Sequence, residues 1–130
     1  MTVRIQIDPM PAIREWLRGQ MPGPWIRDSL PTNWNPTTGP AGLIISDDGG
    51  PAEYPVRTKH TVRITAWGND KPTVRALAAE AAGRLVAGRP PGIVHTSKSA
   101  GAVLDARDPG TGAHLASVLI TSQARMKDLP

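Results

Sequence analysis

The feature that most constrains the fold is a long run of two-residue alternation, residues 56–67 (VRTKHTVRITAW). Side chains on a β-strand repeat with a period of two. The even-numbered positions include Val62 and Ile64, and the odd-numbered positions include most of the charge. The alternation therefore predicts a strand with one face toward a core and the other face carrying cations.

The next segment, residues 71–87 (KPTVRALAAEAAGRLVA), places apolar side chains at helical spacing. Asp70 precedes it as an N-cap acceptor, and Gly88 with Pro90 and Pro91 ends it. We expect an amphipathic helix whose alanines allow a close approach to a sheet.

A second helix is predicted over residues 9–18, near the start of the chain. Asp8 and Pro9 together are a helix-start signal, and Gly19 is a candidate C-cap. The apolar stripe of this helix consists of Met10, Ile13, Trp16 and Leu17.

Four further segments read as strands. Residues 43–46 are expected to pair with the long strand as a hairpin across 47–55. The others are residues 93–97, 102–107 and 113–124, and the polar tail from Arg125 to Pro130 is expected to be loose. The predicted fold class is α+β, a single domain over 1–130 with a mainly antiparallel sheet, two helices packed on one face and long Pro-rich loops.

Proline prevents regular structure in residues 20–42 and 47–55, since nine of the 14 prolines lie between Pro9 and Pro55. Residues 20–42 are nonetheless too apolar for a disordered linker. Two interpretations stay open: a loop that packs back on its own domain, or an arm that packs on a neighbouring subunit.

Catalytic signals are missing from the sequence. The absence of cysteine excludes disulfides, thiolate metal sites and thiol catalysis. His60, His95 and His114 have no metal-ligand spacing, and 47–50 (DDGG) reads as a turn rather than a cation site. We expect a partly buried, structural His60 and no enzyme: no catalytic, metal-ligating or cofactor-binding residue, and no cofactor.

The charge pattern bears on partners. The chain has 15 basic and 11 acidic residues, mixed along its length, and no apolar run reaches the ~20 residues that span a bilayer. We expect no membrane partner. Arg57, Lys59 and Arg63 share one face of the long strand. In a monomer this stripe is a solvated sheet face, whereas in a ring it would line a bore and attract duplex phosphates without reading sequence.

The order of these elements resembles the tail terminator, or tail completion, proteins of long-tailed siphophages. The resemblance lies in the charged strand that ends near Trp67 and Asp70, the alanine-rich helix 71–87 after it and the β-hairpin region that follows. It implies a ring, usually a hexamer, at the head-proximal end of the tail tube, which terminates tail polymerisation and joins tail to head. The implied partners are further copies of the chain, the tail tube protein, a head-completion or connector protein and the genomic DNA that passes through the bore. The implied location is the virion, with the host cytoplasm during assembly.

Such a ring needs apolar anchors between subunits, and tryptophan is enriched at interface hot spots. We expect a subunit or partner interface at Trp25, Ile26, Leu30, Trp34 and Trp67, and a DNA-facing lumen at Arg57, Lys59 and Arg63. The alternative readings are a head-closure or connector protein of the phage neck, a basic nucleic-acid-binding module, and a small enzyme with an unrecognised site.

Overall fold

The structure is a computed structural model that describes residues 3–50, 52–53, 57–96 and 101–129, with no side-chain description for 52–53 and 94–96. Several predictions fall outside these residues: Val56 and Ser97 at the ends of two predicted strands, the side chain of His95, and parts of the 47–55 loop.

The fold is α+β, as predicted, and its elements follow one another as β1 (Arg4–Ile5), α1 (Met10–Gln20), β2 (Trp25–Arg27), β3 (Gly42–Asp47), β4 (Ala52–Glu53), β5 (Arg57–Gly68), α2 (Lys71–Ala87), β6 (Ile93–Thr96), β7 (Leu104–Arg107), β8 (His114–Arg125) and β9 (Lys127–Asp128). Neither helix in the described ranges is long and apolar enough to cross a bilayer.

The sheet is built on β5 and β8, which pair antiparallel along their whole length, from Arg57 opposite Arg125 to Gly68 opposite His114. On its other side β5 pairs with β3 and β4, which confirms the predicted hairpin. The edge of β8 that faces away from β5 pairs with β6 and β7. At one edge β2 runs parallel to β3, and β1 and β9 form a separate two-stranded sheet.

Both helices pack on the same face of the main sheet. Ile13 and Leu17 of α1 and Val74 and Leu85 of α2 are fully buried in one cluster with the even-numbered apolar residues of β5. Small residues on both sides of the contact, such as Ala81 on α2, let the helix approach closely. The opposite face carries no helix of the described chain and is called the helix-free face below.

The predicted bounds of α2 are confirmed, and its N-cap is the predicted Asp70, whose Oδ1 accepts the Thr73 N–H at 2.8 Å. For α1, the predicted start and end are wrong. Pro9 occupies the N-cap position, although Asp8 Oδ1 still makes the predicted acceptor contact, with the Met10 N–H at 3.0 Å. The helix continues past Gly19 to a cap at Met21. Gly19 is not needed to end α1, because Met21 caps the helix by donating its N–H to Leu17 O at 2.7 Å.

Hydrogen bonding with Thr73 lowers the pKa of the Asp70 carboxyl below its ordinary value. The capped state is therefore favoured above the unfolded-state pKa of about 3.9, and its contribution to stability is lost as the pH falls through the lower, folded-state value. We expect Asp70→Asn to keep the cap near neutral pH and to remove this part of the acid dependence. Urea unfolding between about pH 2 and pH 7 measures it. Asp70→Ala is the control that should be destabilised at neutral pH also, and an unchanged acid limb in Asp70→Asn would contradict the assignment.

Three segments predicted to lack regular pairing are ordered into the fold. Within 47–55, residues 52–53 form β4 and pair with β5. Within 20–42, residues 25–27 form β2 and pair with β3, so this part of the segment packs on its own domain rather than extending as an arm. The tail is not loose over residues 125–129, because β9 pairs with β1, Met126 is buried, and Leu129 donates its N–H to Val3 O at 2.7 Å.

Candidate functional site: the helix-free face of the sheet

The structure places the predicted lumen residues Arg57, Lys59 and Arg63 together on the helix-free face. The alternate residues of β5, among them Thr58 and Val62, are buried beneath the helices. The two-residue period of the sequence is therefore confirmed as a division between a core face and a cationic face.

The guanidinium of Arg63 is already bound to the turn that follows β3. Its Nε and Nη2 donate to Asp48 Oδ2 at 3.0 and 2.7 Å. Hydrogen bonding to Asp48 and the charge of that carboxylate raise the pKa of Arg63. One of the three predicted cations is thus compensated within the chain, which the sequence did not indicate.

The neighbouring strand adds charge to the same face. Arg125 of β8 lies directly opposite Arg57, and Gln123 lies opposite Lys59. Two like charges in directly opposed positions repel unless an anion lies between or beside them. Lys59 and Arg125 therefore make this end of the helix-free face attractive to anionic groups.

The other end of the helix-free face is aromatic. The rings of Trp25 and Trp34 meet edge to face with centroids 6.0 Å apart, and those of Trp34 and Trp67 do so at 6.1 Å. Trp25 and Trp34 both donate their indole N–H to the carbonyl of Pro40, each at 2.8 Å. The indole nitrogen of Trp67 is buried and has no hydrogen-bond partner among the described residues.

These contacts change the interpretation of the predicted interface. Trp25, Trp34 and Trp67 do come together, but each is half-buried because the cluster fastens residues 25–40 to the sheet. The prediction of Ile26 as an interface residue is wrong, because its side chain is 2% exposed and faces the helices. Neighbouring residues of β2 point to opposite sides of the sheet, so Ile26 points away from Trp25. Leu30 is half-buried in the loop that follows β2.

Two leucines that sequence reasoning did not select are exposed on the helix-free face. Leu104 is 66% exposed and lies opposite Ser117, and Leu119 is 38% exposed and lies opposite Arg63. Leu119 lies on β8 between the buried Val118 and Ile120, so its side chain points away from the core. No local pattern marked Leu104, because its exposure depends on β7 lying at the edge of the sheet beside β8.

The face of the sheet that packs against the helices holds a cluster of polar side chains. His60 Nδ1 lies 2.6 Å from Asp47 Oδ2, and His60 Nε2 lies 2.6 Å from Thr58 Oγ1. An aspartate that orients a histidine beside a hydroxyl is also the arrangement of a catalytic nucleophile. Here Thr58 is 2% exposed, so a substrate does not reach its hydroxyl. The cluster holds the turn after β3 against β5, and the predicted structural role of His60 agrees with its burial.

Metal binding finds no support in the described ranges, where no three His, Cys, Asp or Glu side chains are close enough to hold an ion. Asp47 Oδ1 accepts the Gly49 N–H at 2.7 Å, which is the predicted turn.

No protein-family model, curated protein or solved structure matches this chain significantly. A functional conclusion therefore comes from the chain's own surfaces, and the helix-free face combines cations with two exposed leucines.

Proposed function

We propose that this chain is a structural protein of a phage virion that closes into a ring, a hexamer by the resemblance given above, at the head-proximal end of the tail tube. There it terminates tail polymerisation and joins tail to head, and no bond is made or broken. The observation that carries the proposal is the helix-free face, on which the two longest strands present cations beside exposed leucines.

Ring symmetry gives this face its function in the proposal. A closed ring repeats one heterologous contact, so every subunit presents the same cations to the bore. Lys59 with the opposed pair Arg57 and Arg125 would then form a basic annulus that attracts duplex phosphates without reading bases. Asp48, by holding Arg63, moderates that attraction, which suits a bore through which DNA must move.

The mass of the purified protein tests the assembly. We expect light scattering on a sizing column to give a closed multiple of the 13.8 kDa chain, alone or on the end of a tail tube, and negative-stain images to show a central hole. A monomer at every concentration that also fails to cap tubes formed by the tube protein encoded with it would contradict the proposal.

The cations of the helix-free face also favour a second candidate function, that of a duplex-binding module. Such a module binds free duplex tightly with a steep salt dependence, whereas a tail ring binds free duplex weakly. A head-closure or connector protein would also form rings, and is distinguished by binding the portal end of the head instead of the tube end.

Removing cations from the helix-free face should impair DNA passage and leave ring assembly intact. We expect Arg57→Gln with Lys59→Gln to leave the ring mass unchanged and to lower infectivity in a complementation assay at least about tenfold, because each subunit loses two phosphate-attracting charges. Arg84→Gln with Lys71→Gln is the matched control, since both cations lie on α2. Equal infectivity of the two double variants would show that the face does not line the bore.

A further inference from the structure

A second cationic site lies at the end of the sheet, around a cavity of about 430 Å³. Its floor is apolar and its rim is basic; the floor consists of Ile7, Ile93 and Met126, and the rim consists of Arg89, Arg125 and Lys127. We call it the basic cavity. Apart from Arg125, it uses none of the residues of the helix-free face.

The fold holds the walls of the basic cavity in place. Gly92 adopts a φ of +81°, a left-handed conformation that favours glycine, and Ile93 donates its N–H to Pro90 O at 3.1 Å. On the other side, pairing of β9 with β1 holds Lys127 opposite Ile5. Ile93 and Met126 are both buried, so the floor is part of the packed structure.

The charge of the basic cavity is not balanced by its own lining, which contains no acidic side chain among the described residues. The two acids next to the lining in sequence are already engaged. Asp8 accepts the Met10 N–H at 3.0 Å, and Asp128 pairs with Arg4 at 2.6 Å. Three cations therefore surround an apolar floor, and no carboxylate among the described lining residues neutralises them.

A larger groove of about 950 Å³ lies between α1 and β2, and it differs from the basic cavity in how its charges are used. Two of its three arginines are used internally: Arg14 donates to Ile45 O at 3.0 Å, and Arg18 donates to Ile26 O at 2.7 Å and to Glu15. Asp28 also lines it. Two carboxylates, Glu15 and Asp28, therefore share this groove with its arginines, unlike the basic cavity.

We propose that the basic cavity binds an acidic protein segment that inserts one apolar side chain between flanking carboxylates. Carboxylates complement the three rim cations, and an aliphatic side chain complements the floor. A nucleic-acid backbone matches only the rim, because it has no apolar group to insert into a concave site. The proposal stands whether or not the chain forms rings, and it concerns a protein partner at a cavity that shares only Arg125 with the helix-free face.

The test uses the full chain and a fluorescent five-residue peptide with a central leucine flanked by two aspartates on each side. We expect saturable anisotropy binding that Arg89→Glu with Lys127→Glu weakens at least about tenfold, because two attractive charges become repulsive. Arg27→Glu with Arg84→Glu makes the same charge change away from the cavity and should stay within about twofold of the parent. Thermal melts establish that each variant is folded.

Two further probes examine the apolar floor and the partner class. Replacing the central leucine of the peptide by serine should weaken binding about fivefold or more. A short duplex should not compete with the peptide at equal charge concentration. No binding of the leucine peptide, equal weakening by both double variants, equal affinity of the serine peptide, or effective competition by duplex would each overturn the proposal.

Discussion

Replacing Gly42 by alanine is expected to lower the free energy of unfolding by about 2–3 kcal/mol. Gly42 begins β3, and a Cβ there would lie 2.0 Å from Cδ2 and 2.4 Å from Cγ of Trp25. Cγ is the root of the indole, so the whole ring has to move. That movement breaks its hydrogen bond to Pro40 and its contact with Trp34. Urea unfolding followed by tryptophan fluorescence and circular dichroism measures the loss.

Gly83→Ala is the matched control for Gly42→Ala. Gly83 lies inside α2 with no atom within 4 Å of the position of its Cβ, so alanine there should stabilise the protein by about 0.5–1 kcal/mol. In a Trp25→Ala background, the cost of Gly42→Ala should fall by at least half, since the clashing Cγ and the ring it carries are gone. An equal cost in both backgrounds would show that the ring is not the cause.

Replacing His60 by alanine is expected to cost about 3 kcal/mol of unfolding free energy. His60 is 8% exposed and holds both Asp47 and Thr58 through hydrogen bonds of 2.6 Å. Its removal leaves a cavity and also leaves the buried Thr58 hydroxyl without this partner. Chemical denaturation at neutral pH gives the value.

His114→Ala is the control for His60→Ala, because His114 is only half-buried at the start of β8, and a change within about 0.5 kcal/mol is expected. Asp47→Ala should be non-additive with His60→Ala, since the two substitutions break the same contact. Additive losses, or a His60→Ala variant as stable as the parent, would disprove that this cluster stabilises the turn after β3.

The tryptophan cluster explains how a proline-rich segment stays ordered. Residues 25–40 offer few backbone pairs beyond β2, and three indoles compensate by packing edge to face over Gly42 and Gly39. A Cβ on Gly39 would meet the Trp34 ring at 2.8 Å. In the proposed ring, the residual exposed edges of the cluster are available to a neighbour, but most of its area already stabilises the monomer.

Sequence by itself determined the elements whose signals are local. The alternation of β5 and the helical spacing of α2 each lie within one continuous segment, so their buried faces followed from the two periods. The bounds of α2 followed as well, whereas β5 ends at Gly68, one residue past the predicted strand. The same reasoning placed Arg57, Lys59 and Arg63 on one face. It failed for β2, because a three-residue strand between prolines has no period and forms only because β3 lies beside it.

Tertiary structure alone decided which distant residues meet. The Asp48–Arg63 pair and the contact of Asp47 with His60 depend on the register of the β3–β5 hairpin, which no residue pattern specifies. The basic cavity joins Ile7, Arg89 and Lys127 from three separate parts of the chain. Local periods fix how a segment presents its side chains, whereas the sites arise where the packing of the whole chain brings such segments side by side.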